Sequence, residues 1–163
     1  MVTTRTSTAR RARLVPAIGV AARLVVGVVW VAAGVLKLPD PAENVRAVRA
    51  YQLLPEAVVP TVGYALPLVE IAVGACLLLG LATRVSAVLS CLLLVAFIVG
   101  IASAWARGLQ IECGCFGGGG GPAVNASAAY PWELARDVGL LAASAWLVWR
   151  PRTPLSVDRY LLP

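Results

Sequence analysis

The sequence predicts an all-α integral membrane protein, a four-helix transmembrane bundle. Two observations predict it. The chain is 60% hydrophobic and only 13% charged, with a mean hydropathy of +0.82, whereas roughly a quarter of the residues in a soluble domain are charged. The apolar residues also fall into four runs, about 17–36, 60–81, 85–105 and 132–149, each near the ~20 residues a helix needs to cross the hydrocarbon core. At 163 residues there is room for one domain. It divides into a basic cytoplasmic tail (1–16), the membrane domain (17–150) and a cytoplasmic tail (151–163). The net charge of +6 is spread between apolar spans rather than gathered in one patch. It therefore reads as topology information and not as a nucleic-acid surface.

The elements follow in order. Residues 1–16 carry Arg5, Arg10, Arg11 and Arg13 and no acidic residue, as a signal peptide or twin-arginine signal would. Arg23 inside the following run, the missing small-x-small cleavage site and the later spans favour an uncleaved first helix. Gly27 and Gly34 lie on one face of it and admit the close approach of another helix. Residues 37–58 are mixed. Between Pro39-Asp40-Pro41 and Pro55-Glu56, the pattern from Ala42 to Leu54 predicts a short amphipathic helix at the membrane surface, a linker rather than a binding site. The second and third spans are separated by Ala82-Thr83-Arg84 alone, so they form a tight antiparallel hairpin. A loop over 106–131 leads to the fourth span, which opens with Arg136 and Asp137.

Orientation follows from the arginines. Placing both termini in the cytoplasm puts Arg5, Arg10, Arg11, Arg13, Arg84, Arg150, Arg152 and Arg159 on the inner side. That is the arrangement the positive-inside rule favours. The 106–131 loop then faces the oxidising side, where disulfides persist.

Reactive chemistry concentrates in that loop, at Glu112-Cys113-Gly114-Cys115-Phe116 with the glycine run 117–121 behind it. Cα atoms two residues apart reach about 5.5–6 Å, within the range of a disulfide, and Gly114 removes the Cβ that would block the bend. A ring this small is tight, and strained disulfides are the labile or catalytic ones. A redox-active pair is the leading reading. A static brace is disfavoured because linking residues two apart removes little unfolded-state entropy. A metal site would need a second chain, since two thiolates without histidine are half a tetrahedron; the sequence has no histidine, and no metal is expected. Phe116 could shield the sulfurs, and the glycines would let the loop meet a partner. Glu112 raises a neighbouring thiol's pKa and opposes a very reactive thiolate.

Five further features carry weaker signals. Cys76 and Cys91 lie at similar depth in the hairpin, roughly 20 Å of helix from the loop by the rise per residue, and read as packing residues. Glu70 sits mid-span, where an ionisable group is a functional-site hypothesis by default: a proton-transfer group, a quinone contact, or a structural glutamate that is protonated or ion-paired. Arg136 either positions the loop or anchors its helix at the interface. The tryptophans fit interfacial belts, with Trp105, Trp132 and Trp149 near span ends. Asn125-Ala126-Ser127 matches a glycosylation acceptor by pattern alone.

Three stretches carry a family resemblance. They are Arg23 to Gly27 through Gly34-Val35-Leu36-Lys37-Leu38; Pro67-Leu68-Val69-Glu70-Ile71-Ala72-Val73-Gly74 leading to Leu79 through Arg84; and Cys113-Gly114-Cys115-Phe116-Gly117 with Arg136-Asp137 behind it. With these the chain resembles the MauE family, the methylamine-utilisation proteins, within the DoxX-like superfamily of four-helix bacterial membrane proteins. The resemblance implies a multi-pass protein of the bacterial inner membrane that supports redox maturation of exported proteins. In the namesake role this is disulfide formation or processing in methylamine dehydrogenase. The extended glycine run departs from the family pattern.

Taken together, Cys113 and Cys115 are the expected catalytic pair, with Gly114, Phe116 and Arg136 as loop support. Their expected partner is an exported thiol-containing protein or a thioredoxin-like protein. Re-oxidation would draw on that thioredoxin-like partner or on a quinone, with Glu70 as the candidate quinone or proton site. Two rival readings stand beside this one. The chain is a docking subunit for a soluble oxidoreductase, or it is a small proton-coupled transporter that uses Glu70 and assembles as a homo-oligomer.

Overall fold

The computed structural model describes residues 3–115, 117, 119, 121, 126–151 and 156–158, with backbone alone for 3–15. Among these residues the fold is all-helical: α1 (Thr3–Lys37), α2 (Pro41–Ala50), α3 (Val59–Leu79), α4 (Thr83–Ala106) and α5 (Ala126–Trp149). Three stretches are long and apolar enough to cross a membrane, Pro16–Lys37, Val59–Leu79 and Thr83–Ala106. The fourth expected span, α5, is long enough at 24 residues but carries Glu133, Arg136 and Asp137 in its first half.

Two helices reach beyond the expected spans. The first membrane span, expected over 17–36, is Pro16–Lys37, but the helix that carries it runs back through the basic segment to Thr3, because nothing between Thr3 and Pro16 breaks a helix. The last begins at Ala126 rather than 132. Alanine favours helix strongly, and the Ala126-Ser127-Ala128-Ala129 stretch forms an opening turn ahead of Pro131.

α1 packs along α3, and α4 along α5, with α1 also meeting α5. The expectation for Gly27 and Gly34 is met in detail. A Cβ on Gly34 would come within 2.6 Å of the Pro67 carbonyl oxygen, and one on Gly27 within 3.1 Å of that of Gly74. The α1–α3 contact is thus a small-residue seam in which backbones touch, the arrangement that gains most from van der Waals packing in lipid. The core beside it holds Val26, Trp30, Val73, Leu77, Ala87, Leu94 and Leu147. Trp30 departs from the belt expected of the tryptophans. It is 3% exposed, and its indole N–H donates to Ser90 Oγ at 2.7 Å, which in turn meets Ser144 Oγ at 2.9 Å. This polar thread fastens α1, α4 and α5 where no water competes. Trp132 and Trp149 stand outward, as a belt requires.

The two ends of the fold are distinct. At one, α3 closes on Gly80 in the left-handed conformation, and the 156–158 segment returns to the α3–α4 turn. There the Asp158 carboxylate accepts from the Ala82 and Thr83 amides at 2.6 and 2.8 Å. α4 has no side-chain cap of its own, so Asp158 supplies one from 75 residues away. At the other end lie Lys37, α2, the reactive loop and the start of α5.

Candidate functional site

The loop end is built on α2. Asp40 caps this helix by accepting from the Glu43 amide at 2.9 Å, and Pro41 occupies its first turn. The expected surface linker is in fact half embedded. Asn44, Val45 and Ala47 are buried, and a Cβ on Gly63 would fall within 2.7 Å of Val45 Cα, so α2 lies directly on the first half of α3. Its outer face carries exposed ion pairs, Arg46–Asp40 and Arg49–Glu56. Such pairs contribute little stability.

Cys113 and Cys115 are joined in a disulfide with their Cα atoms 5.5 Å apart. Both are half-buried and pack on Ile101, Ala104, Ala126 and Tyr130, alongside Tyr51, Ile111 and Leu134. Gly114 takes φ +68°, the left-handed region that costs other residues about 1–2 kcal/mol. Gly119 folds back over Gly114, and a Cβ there would meet Ala47 Cβ at 2.9 Å. The loop is therefore seated on α2 by backbone contact rather than hanging free. Among its expected supports, Phe116 lies outside the described residues, as do Gly118, Gly120, Pro122 and the Asn125 of the glycosylation pattern.

Two tyrosines that the sequence gave no reason to single out hold this loop. Tyr130 of α5 is 1% exposed. Its hydroxyl faces the carbonyls of Leu109 at 2.7 Å and Ile111 at 3.0 Å, and its oxygen accepts from the Ile111 amide at 3.3 Å. Tyr51, just past α2, donates to the Cys113 carbonyl at 2.9 Å. Its own carbonyl accepts from the Arg107 guanidinium. Burial, with the Glu133 carboxylate nearby, pushes the Tyr51 phenol well above its ordinary range, so it remains a donor at physiological pH. The signal that could have marked them is modest: Tyr130 lies at the end of the 106–131 loop, Tyr51 lies 62 residues before Cys113, and membrane anchoring is the usual reading of both.

Below the loop lies a buried charge network. Glu70, 0% exposed, accepts from Lys37 Nζ at 2.5 Å, and Lys37 is 3% exposed. The sequence left Glu70 without a partner and placed Lys37 in the surface segment. α1 instead ends beside the middle of α3, so the lysine reaches inward. Its ammonium also stands 5.5 Å from the centre of the Phe97 ring, and its backbone carbonyl accepts from Asn44 Nδ2 at 2.8 Å. Arg136 pairs with Asp137 at 2.9 Å and lies within electrostatic reach of both Lys37 and Tyr51. One oxygen each of Glu70, Glu133 and Asp137 is buried without a hydrogen-bond partner among the described residues.

Cys76 and Cys91 are free and half-buried, as packing residues are. Among the described residues no group of three or more His, Cys, Asp or Glu side chains could hold a metal ion.

The arrangement brings a disulfide, two tyrosine clamps and a buried ion pair to one end of an apolar helical protein. A protein-family model described as methylamine utilisation protein MauE matches residues 15–150. The chain belongs to the MauE family. The match takes in α1 from its membrane-spanning part to the end of α5, and with them Lys37, Glu70 and the Cys113–Cys115 loop. The family description links such membrane proteins to methylamine utilisation. No curated protein and no solved structure matches the chain.

Proposed function

We propose that this MauE-family chain is a thiol–disulfide exchange protein of the bacterial inner membrane that serves the maturation of exported proteins. It crosses the membrane four times, α5 being the fourth span of a DoxX-like bundle, with both termini in the cytoplasm and the cysteine loop outside. The observation that carries the reading is the Cys113–Cys115 disulfide, held half-buried at the loop end between α2 and the start of α5.

In the oxidising direction a partner thiolate attacks one sulfur of the pair. The Cys113–Cys115 bond breaks, a mixed disulfide forms, and the displaced cysteine leaves as a thiolate that takes up a proton. A second partner thiol, deprotonated, then attacks the mixed disulfide. The partner leaves with its own disulfide, and both cysteines are left reduced. Two electrons and two protons return the pair to the disulfide by passing to a quinone or to the disulfide of a thioredoxin-like protein. Methylamine dehydrogenase is one client this reading admits, and exported dithiol proteins are the wider substrate class.

The test is a titration of the purified protein in graded glutathione buffers, with alkylation and mass read-out of each cysteine. A reversible Cys113–Cys115 couple above about −300 mV, the limit typical of structural bridges, is the expected result. If the two thiols never pair, or pair irreversibly, the chain instead acts as a docking subunit for a soluble oxidoreductase.

A second reading concerns Glu70. Its buried oxygen, without a partner among the described residues, favours a group that binds and releases a proton, in re-oxidation or in transport. Glu70→Gln should then slow turnover even where the disulfide forms normally. Loss of transport with both loop cysteines dispensable would point to the transporter instead.

A further inference from the structure

The exchange reading leaves α2 without a role, although the turn that carries the cysteines rests on Ala47 and is hydrogen-bonded to Tyr51 at its end. The phenol of Tyr51 donates to the Cys113 carbonyl at 2.9 Å. The ring lies over Gly100 of α4, where a Cβ would stand 3.6 Å from two ring carbons. The Tyr51 carbonyl is held by Arg107, whose guanidinium also donates to the Ser103 carbonyl at 3.2 Å. Ala47, one turn earlier, supports Gly114 and Gly119. Residues 47–51 are thus a seat fixed from below by α3 and from the side by α4. The loop's reactive turn is hydrogen-bonded to it beside one of the reacting cysteines.

We propose that Tyr51 is a positioning residue of the exchange site, holding Cys113 in the ring-closed conformation and thereby setting the potential of the Cys113–Cys115 couple. The physical reason lies in where the bond is made. A three-residue ring forces the Cys113 peptide into one orientation, and the phenol meets its carbonyl in that orientation. Opening the ring frees the Cys113–Gly114–Cys115 backbone to rotate about the glycine, whose φ is +68° in the closed form, and the carbonyl leaves the phenol. The hydrogen bond therefore favours the oxidised loop over the reduced one. Tyr51 does not touch the sulfurs through this bond. It acts on the backbone that carries one of them.

The inference rests on the exchange reading, and the experiment separates the two. Full-length protein in lipid nanodiscs is equilibrated in glutathione buffers for wild type, Tyr51→Phe and, as a control, Tyr64→Phe, whose ring stands outward from α3. Tyr51→Phe keeps the ring and its packing and removes the hydroxyl alone. A net hydrogen bond of about 1 kcal/mol predicts an equilibrium constant for disulfide formation about fivefold lower in Tyr51→Phe, or about 20 mV at 29.6 mV per tenfold. Tyr64→Phe should leave it unchanged. A Tyr51→Phe constant equal to wild type, in protein with an unchanged melting temperature, overturns the role of Tyr51 and leaves the exchange reading intact. A wild-type pair that never exchanges overturns both. Should Tyr51→Phe fail to fold, Arg107→Ala decides: it frees the Tyr51 carbonyl on an exposed surface, and a shift in the same direction supports the proposal while an unchanged constant overturns it.

Discussion

Gly119 shows how much of the site depends on absent atoms. Its Cα lies over Gly114, and a methyl group there meets both Gly114 and Ala47. Gly119→Ala should therefore lift the loop from α2. Alkylation of the reduced cysteines, followed by mass spectrometry, should run several-fold faster than in wild type; an unchanged rate would mean the loop seats without this contact. Gly114→Ala combines a milder contact, 3.1 Å to Ala47 Cβ, with the left-handed backbone, and should cost about 1–2 kcal/mol. The sequence marked Gly114 for its place between the cysteines. It could not distinguish Gly119 from its neighbours in the run, because the demand on it comes from α2, seventy residues away.

Asp158 is the second case at this scale. Burial alone would raise its pKa, but the amides of Thr83 and Ala82, with the Arg23 guanidinium nearby, outweigh this and hold it below the ordinary carboxylate range. A carboxyl depressed in the folded state contributes stability that is present above its unfolded pKa of about 3.9 and is lost as pH falls through the folded value. Release of the 156–158 segment should therefore begin only below about pH 4. Asp158→Asn should loosen it at neutral pH, with a loss of about 0.5–2 kcal/mol, as for a helix cap. Hydrogen exchange at the amides of Ala82 and Thr83 reads both outcomes, and exchange that is insensitive to pH and to the substitution would remove Asp158 from this role.

At the scale of elements, the long helices were legible because lipid demands about twenty apolar residues in a row, and α1, α3 and α4 answer that demand almost residue for residue. The small-residue seam was legible too, since Gly27 and Gly34 recur at helical spacing. What stayed hidden was the depth of α2. Its amphipathic pattern is the same whether the apolar side meets lipid or α3, and only Gly63 beside Val45 decides between them. The Lys37–Glu70 pair was hidden for a related reason. A lysine after an apolar run reads as a snorkelling end residue, and its partner lies 33 residues away. The pair makes a sharp prediction. Breaking a buried ion pair by removing one partner costs about 3–5 kcal/mol, whereas replacing both by apolar groups of similar size is often neutral. Lys37→Met alone should lower the melting temperature markedly, and Lys37→Met with Glu70→Leu should restore most of it. If the double variant is as unstable as the single one, the pair does more than organise α1 against α3, which would favour the proton-binding reading of Glu70.

For the whole molecule, the decisive property is which end faces the cytoplasm. The end closed by Asp158 shares its side with Arg84 and Arg150 as well as the arginine-rich first residues, eight basic residues in the sequence-based assignment. The loop end holds Lys37, Arg46, Arg49, Arg107 and Arg136. Lys37 is buried and paired with Glu70. By the positive-inside rule the greater number of basic residues at the Asp158 end favours the proposed orientation, with the cysteine loop outside. The same orientation places the disulfide where oxidising conditions sustain it. In intact cells treated with a reductant, a membrane-impermeant maleimide should label Cys113 and Cys115. Cys76 and Cys91, half-buried within α3 and α4, should remain unlabelled until the cells are opened and the protein unfolded. Without reductant the impermeant reagent should label none of the four. Labelling of the loop pair only after permeabilisation would turn the molecule over, put the disulfide in a reducing compartment and remove the exported-protein substrate from the proposal.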